Sequence, residues 1–189
     1  MPRDFAYDIM PEIKQRWSTR AISPEKFNLE DLSAALEAAR YAPSCYNAQP
    51  WKFLVGYTEE DLKTMRCFLN EKNQRWANAA PALILVLAFN KFAFNDQPNH
   101  WNQFDTGTAW GYLSLELQHR GLVSHAMAGF DPEKARKELN IPLEYDLIAM
   151  IAVGKKGNQE TLPREFQALE EPGTRIPLDQ IVLSTKAFK

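Results

Sequence analysis

The segment ALILVLAF, at residues 82–89, constrains the fold more than any other part of the sequence. Successive side chains of a β-strand point to opposite faces, so a strand that is apolar at every position has two apolar faces. Both faces must then be covered, and helices usually provide the cover. The run is also far too short to cross a bilayer. The segment therefore predicts a central strand of a sheet that has helices on both sides.

Helical and strand patterns surround this central strand. Apolar residues at helical spacing predict helices at residues 7–17, 28–42, 58–69, 105–120 and 131–140, with Asn28, Thr58 and Asp131 as N-caps. Shorter β-rich runs predict further strands at residues 51–57, 122–130 and 147–154. We therefore expect a mixed α/β or α+β core over residues 1–154. Residues 155–189 are rich in proline and predict a C-terminal arm of the same domain that packs on another surface.

Charge and cysteine content exclude several classes of function. The formal net charge is −2, from 22 basic and 24 acidic residues, so the chain lacks the basic surface that nucleic acids or anionic membranes require. Cys45 and Cys67 form neither a CxxC pair nor a metal-like cluster with the three histidines. The N-terminal sequence has no apolar signal core. We expect a cytoplasmic protein with a small-molecule ligand, without metal, nucleic acid or membrane as partner.

The segment RWSTR, at residues 16–20, is a candidate anion site. In an extended chain the period of two places Arg16, Ser18 and Arg20 on one side, with two guanidinium groups and a hydroxyl directed to one point. Such a set suits a phosphate or carboxylate group. The pattern alone also fits a solvated basic turn.

A second polar segment, PSCYNAQPW at residues 43–51, lies between a predicted helix and a predicted strand. Ser44, Asn47 and Gln49 offer donors and acceptors that suit the edge of a planar polar heterocycle. An ordinary loop of proline, asparagine and serine has the same composition.

Together these two segments resemble the nitroreductase family of FMN-dependent oxidoreductases. That family has an Arg-x-Ser-x-Arg-like motif near its start and a Pro-Ser-x-x-Asn-x-Gln-Pro-Trp turn after its second helix. The resemblance continues through DTGTAWGYLSLELQHRGL, AGFDPEKARKELNIP and LIAMIAVG to TRIPLDQIV, so it covers nearly the whole chain. It implies an α+β fold with a central, mostly antiparallel sheet flanked by helices, an extended C-terminal arm, and a homodimer.

The resemblance also implies which residues bind FMN. Those that it assigns to the phosphate and ribityl chain or their surroundings are Arg16, Trp17, Ser18, Arg20 and Arg175. Those that would reach the flavin of the partner subunit are Pro43, Ser44, Cys45 and Asn47. Ala128 and Gly129 would lie near one face of the flavin ring.

The implied activity is hydride transfer from NADH or NADPH through FMN to a nitroaromatic, a quinone or a similar small acceptor, by a ping-pong mechanism. No GxGxxG motif is present, so the nicotinamide and the acceptor would share one pocket. In this scheme the flavin carries the chemistry and no catalytic side chain is required. Two alternatives stay open: a non-catalytic flavin-binding or storage module, and a hydrolase or transferase with Cys45 as nucleophile.

Gly107 and Gly111 lie four residues apart in the predicted helix 105–120, and each costs about 1 kcal/mol relative to alanine. Two interpretations explain them: tight packing inside one subunit, or close approach of a partner subunit. Trp101, Trp110 and Tyr112 are candidates either for the substrate pocket or for the core.

Overall fold

A four-stranded sheet forms the centre of the computed structural model, which describes residues 3–185 and residue 187. The strands stand in the order β1-β2-β4-β3, and each neighbouring pair is antiparallel. Their bounds are Trp51–Gly56 for β1, Ala82–Phe89 for β2, Leu122–Met127 for β3 and Tyr145–Lys155 for β4. The prediction of an antiparallel central sheet is confirmed, and the fold class is α+β.

Seven α-helices are described beside the sheet. Their bounds are Pro11–Gln15 for α1, Leu29–Arg40 for α2, Glu59–Arg66 for α3, Glu71–Ala77 for α4, Asn102–His119 for α5, Pro132–Glu138 for α6 and Arg164–Gln167 for α7. Single turns of 3₁₀-helix occur at Cys45–Asn47, Gln159–Thr161 and Leu178–Gln180. None of the helices in the described ranges is long and apolar enough to cross a membrane.

Strand β2 is covered on both faces, as its sequence predicts. Leu83 and Leu85 pack into a cluster formed with α3, α4, α6 and α7. Ile84 and Val86 alternate with them and pack into a second cluster, formed with α2 and α5. These four side chains are at most 2% exposed. A strand with two buried faces explains why no polar residue interrupts this part of the sequence.

Three helices begin at the predicted N-caps. The side chain of Asn28 accepts from the backbone N–H of Glu30 at the start of α2. Thr58 and Asp61 form a capping box at the start of α3, and this interaction holds the pKa of the Asp61 carboxyl below its usual range. Asp131 caps α6. Short polar side chains therefore fixed these boundaries correctly.

Two helices differ most from prediction. The first helix does not begin at residue 7, because Pro11 occupies the first position of α1 and disfavours helical geometry in Met10. It ends at Gln15, since Arg16 is extended, so the predicted range 7–17 is wrong at both ends. Helix α4 was not predicted at all. Its sequence EKNQRWA has too little apolar periodicity, and Asn70 caps its start.

The first part of the segment after residue 155 packs on the core, and its second part does not. Leu162, Phe166 and Glu170 are buried. From residue 173 to residue 185 every described residue is exposed. This second part is the extended arm, and its apolar residues are Ile176, Leu178, Ile181, Val182 and Leu183, each more than half exposed.

Candidate functional site

The segment at residues 16–20 follows α1 and runs beside β3. Thr19 is fully buried, whereas Ser18 and Arg20 on either side of it are half-buried. The backbone carbonyl of Thr19 accepts a hydrogen bond from Nδ1 of His125, at 3.1 Å. The hydroxyl of Thr19 donates to the carboxylate of Glu170. Arg16 has an extended backbone, in agreement with the predicted extended segment.

Three arginines converge next to this segment: Arg3, Arg16 and Arg175. Arg3 Nη1 donates to the backbone carbonyl of Arg16 at 2.8 Å. Burial, together with the positive charges of Arg3 and Arg175, lowers the pKa of the Arg16 guanidinium. Burial and Arg175 also lower the pKa of Arg3. The fold thus concentrates positive charge, which an anion at this place would stabilise.

The Arg3 Nε atom provides a second sign of an anion site. It is buried and has no hydrogen-bond partner within the part of the chain that the structure describes. A buried donor of this kind costs free energy unless an acceptor reaches it. A phosphate group supplies several such acceptors.

Arg20 has a different environment from Arg16. Its guanidinium lies over the ring of Phe166, 5.9 Å from the centroid, and Arg75 lies over the same ring at 5.7 Å. Arg20 is not among the charges that shift the pKa of Arg16. It does act on His125, whose pKa is lowered first by burial and then by the charges of Arg20 and Arg16. Arg175 is therefore near enough to Arg16 for its charge to act on it, whereas Arg20 lies over Phe166.

Ala128 and Gly129 follow β3, three and four residues after His125. Ala128 is exposed. The carbonyl of Gly129 accepts from the backbone N–H of Asn70 at 3.1 Å and from Nδ2 of Asn73 at 2.9 Å. A Cβ atom at residue 129 would lie 2.4 Å from Nδ2 of Asn70, so a larger residue there would displace the Asn70 side chain. Asn70 and Asn73 belong to the start of α4, which sequence reasoning missed.

Trp17 lines a cavity of about 420 Å³ together with Ala21, Lys156 and Glu170. This cavity lies on the side of the segment to which Glu170 is bonded. The role of Trp17 in FMN binding stays a prediction.

The polar turn after α2 has an unusual backbone. Tyr46, Asn47 and Gln49 all have positive φ, at 51°, 54° and 48°. Non-glycine residues rarely adopt this conformation, and it persists only where contacts impose it. Here the backbone N–H of Cys45 donates to the carboxylate of buried Asp105 at 3.0 Å, and that of Gln49 donates to Ser44 Oγ at 3.0 Å. The turn is therefore a built structure rather than a loose loop.

The turn presents its side chains outward. Pro43 and Asn47 are exposed, and Ser44 and Cys45 are half-buried. Within residues 3–185 no hydrogen bond or ion pair joins this turn to the segment at residues 16–20. One chain therefore displays two polar surfaces that do not meet.

The histidines have contacts other than Cys45. His119 Nδ1 lies 2.9 Å from the carboxylate of Glu12, and this contact lowers the pKa of that carboxyl. His125 contacts Thr19, and His100 lines a polar cavity of about 610 Å³ with Asn90, Lys91 and Asp146. Across the described ranges none of them hydrogen-bonds the Cys45 thiol. The structure gives no support to a cysteine–histidine hydrolase.

An antiparallel sheet with helices on both faces, an arginine cluster and a strained polar turn define an α+β protein with a candidate anion site. The nitroreductase family matches residues 13–67 and 59–155. The iodotyrosine deiodinase of Thermotoga neapolitana is 31% identical over 93% of this chain and 96% of its own length. A solved oxidoreductase containing FMN has a TM-score of 0.93 and 30% identity, over 97% of this chain and 95% of the other. The NADH dehydrogenase of Thermus thermophilus is 27% identical, over 80% of this chain and 83% of its own length. This chain belongs to the nitroreductase family.

Proposed function

We propose that this protein is an FMN-dependent oxidoreductase that uses NADH or NADPH to reduce a small acceptor. The observation that carries the proposal is the convergence of Arg3, Arg16 and Arg175, with a buried and unpaired donor on Arg3. The solved relative containing FMN supports the choice of ligand.

The residues of this cluster fit a phosphate group. A phosphate monoester carries nearly two negative charges at neutral pH, and arginine offers it paired donors in a plane. Arg16 and Arg175 would hold the phosphate, and Arg3 would close the site from the N-terminal segment. Ala128 and Gly129, fixed by Asn70 and Asn73, would border the ring. When bound, FMN accepts a hydride from the nicotinamide and passes two electrons to the acceptor.

A homodimer completes the site in this proposal. Apart from the two chain neighbours of each glycine and the nearby backbone of α5, no heavy atom of the described chain lies within 4 Å of a Cβ built at Gly107 or Gly111. The interpretation that these glycines serve tight packing inside one subunit is therefore not supported. The exposed arm and the outward-facing turn are two further surfaces without cover in one chain. We infer that a second subunit covers all three and brings its own turn to the flavin.

The acceptor is proposed to be a nitroaromatic, a quinone or a similar small molecule. A second candidate is an iodinated tyrosine, which the similarity to the iodotyrosine deiodinase of T. neapolitana favours. Turnover with a nitroaromatic, a quinone and 3-iodotyrosine, each at equal concentration with NADH or NADPH, discriminates between them. Release of iodide would assign the second activity directly.

Identification of the bound flavin tests whether FMN is the cofactor, on which the rest of the proposal depends. The flavin is released from the purified protein by heat and identified by chromatography. FMN in a ratio near one per chain is the expected result. FAD, or no flavin even after incubation with FMN, contradicts the proposal.

A further inference from the structure

One buried carboxylate links the two ends of the chain beside the arginine cluster. Glu170, which is 6% exposed, accepts from the backbone N–H groups of Arg20 at 3.1 Å and of Ala21 at 2.9 Å. It also accepts from the hydroxyl of Thr19. A carboxylate is an acceptor only, and its burial is costly unless donors surround it. Residues 19–21 supply these donors from three consecutive positions.

The same segment is held from its other side by His125. Nδ1 of His125 donates to the carbonyl of Thr19, and its ring lies on that of Trp76, with 4.6 Å between centroids. Thr19 is therefore fixed through its hydroxyl and its carbonyl, and the next two N–H groups are fixed as well. Ser18 and Arg20 flank this fixed point, so their backbone has little freedom.

Glu170 is also close in sequence to the other half of the cluster. Arg175 follows it by five residues, in the arm that is exposed from residue 173 onward. The guanidinium groups of Arg3 and Arg16 repel that of Arg175. This repulsion acts to move the arm away from residue 16, so another interaction must hold the arm there. The bonds of Glu170 to residues 19–21 supply that attachment.

We propose that Glu170 is a positioning residue that holds the two halves of the phosphate site, residues 16–20 and Arg175, at the separation that a phosphate group requires. The inference rests on the proposed function, because it assumes that FMN is the ligand. Glu170 does not itself touch the phosphate in this account. It acts through the backbone of residues 19–21 and through the start of the arm.

Comparison of FMN with riboflavin separates this role from general support of the fold. Riboflavin has the same ring and ribityl chain but lacks the phosphate. Glu170→Gln keeps the side chain's size but places an NH₂ donor among the N–H donors of Arg20 and Ala21. The dissociation constants of both flavins are measured by fluorescence titration of flavin-stripped wild type, Glu170→Gln and the control Glu160→Gln. Glu160 is an exposed carboxylate that lines the cavity shared with Glu170.

We expect Glu170→Gln to raise the FMN dissociation constant by about tenfold or more, which corresponds to the loss of one charge-assisted hydrogen bond to the phosphate. The riboflavin dissociation constant should not change. The control should match the wild type for both. Equal losses for the two flavins, or an unchanged FMN constant, overturn the inference. A wild type that binds neither flavin overturns the proposed function as well.

A second pair of variants covers the case in which Glu170→Gln does not fold, which circular dichroism will show. Thr19→Val removes the hydroxyl donor to Glu170, and Thr19→Ser retains it. The ratio of riboflavin to FMN dissociation constants should fall in the valine variant and stay at the wild-type value in the serine variant. The same ratio in both variants contradicts the role of this contact.

Discussion

Arg16→Ala is the substitution that tests the phosphate site most sharply. In the ligand-free chain, burial and the charges of Arg3 and Arg175 lower the pKa of Arg16, so its charged form is destabilised there. A bound phosphate reverses that balance, because each guanidinium then faces a negative charge. The side chain should therefore contribute to FMN binding and not to the stability of the ligand-free protein.

The expected magnitude follows from the type of contact. A hydrogen bond to a charged group contributes about 1.5–3 kcal/mol, which corresponds to a rise of about 10- to 150-fold in the FMN dissociation constant. Arg16 is half-buried, so added salt should screen this contribution only in part. Riboflavin affinity should not change, because riboflavin offers Arg16 no phosphate.

The assay is fluorescence titration of the flavin-stripped protein with each flavin, beside chemical unfolding without flavin. Arg40→Ala is the matched control. Arg40 is exposed and pairs with Glu37, with its Nε 2.7 Å from Glu37 Oε2. The control should leave both flavin constants unchanged. An unchanged FMN constant in Arg16→Ala, or an equal loss of riboflavin, would falsify the assignment and return residues 16–20 to a solvated basic turn.

Three further predictions concern the dimer, the thiol and pH. Gly111→Leu should shift the protein towards monomer and release FMN in step, measured by sedimentation and flavin fluorescence across a dilution series. Ser33→Leu, at an exposed position of α2, should do neither. A Gly111→Leu dimer that keeps FMN contradicts the proposed interface. Cys45→Ser should keep most of the activity and give parallel double-reciprocal plots like the wild type, and an inactive variant that binds FMN would instead support a role for the thiol. Burial lowers the pKa of His125, so below pH about 6.5 the unfolded chain binds a proton that the native protein resists, and stability should fall as the pH falls. His125→Gln should reduce this slope in urea unfolding between pH 7.5 and 5.5, and an equal slope would show that His125 is not its source.

Much of the fold could be predicted from local sequence. The apolar run of β2 predicted a strand with two buried faces, because successive side chains of a strand point to opposite faces and none of these side chains is polar. The caps Asn28, Thr58 and Asp131 marked helix starts correctly, since short polar side chains satisfy free N–H groups there. Helix α4 was not predicted, because its sequence has too little apolar periodicity and its start depends on the cap Asn70.

The candidate site was predictable only in part. The pattern of residues 16–20 marked Arg16 as a candidate anion ligand and the family resemblance added Arg175, and in the structure the charge of Arg175 acts on Arg16. Arg3 reaches them through a contact with the carbonyl of Arg16, which no spacing rule encodes. Glu170 is bonded to residues about 150 positions earlier in the chain, so only tertiary structure reveals it.

The polar turn shows the same division. Its composition predicted a site rich in donors and acceptors, but not its backbone. Tyrosine rarely adopts positive φ, so the conformation of Tyr46 depends on contacts such as that between Cys45 and Asp105. Cys45 and Asp105 lie 60 residues apart in sequence, so no local pattern reveals their contact.

Anaerobic titration of the purified protein with NADH and with NADPH, followed by the absorbance of the flavin, tests the central claim most directly. We expect bound FMN whose visible absorbance is lost with about one equivalent of at least one nicotinamide and returns when a nitroaromatic or a quinone is added. A protein that binds FMN but is not reduced by either nicotinamide would be a flavin-binding module, and the account of an oxidoreductase would be contradicted.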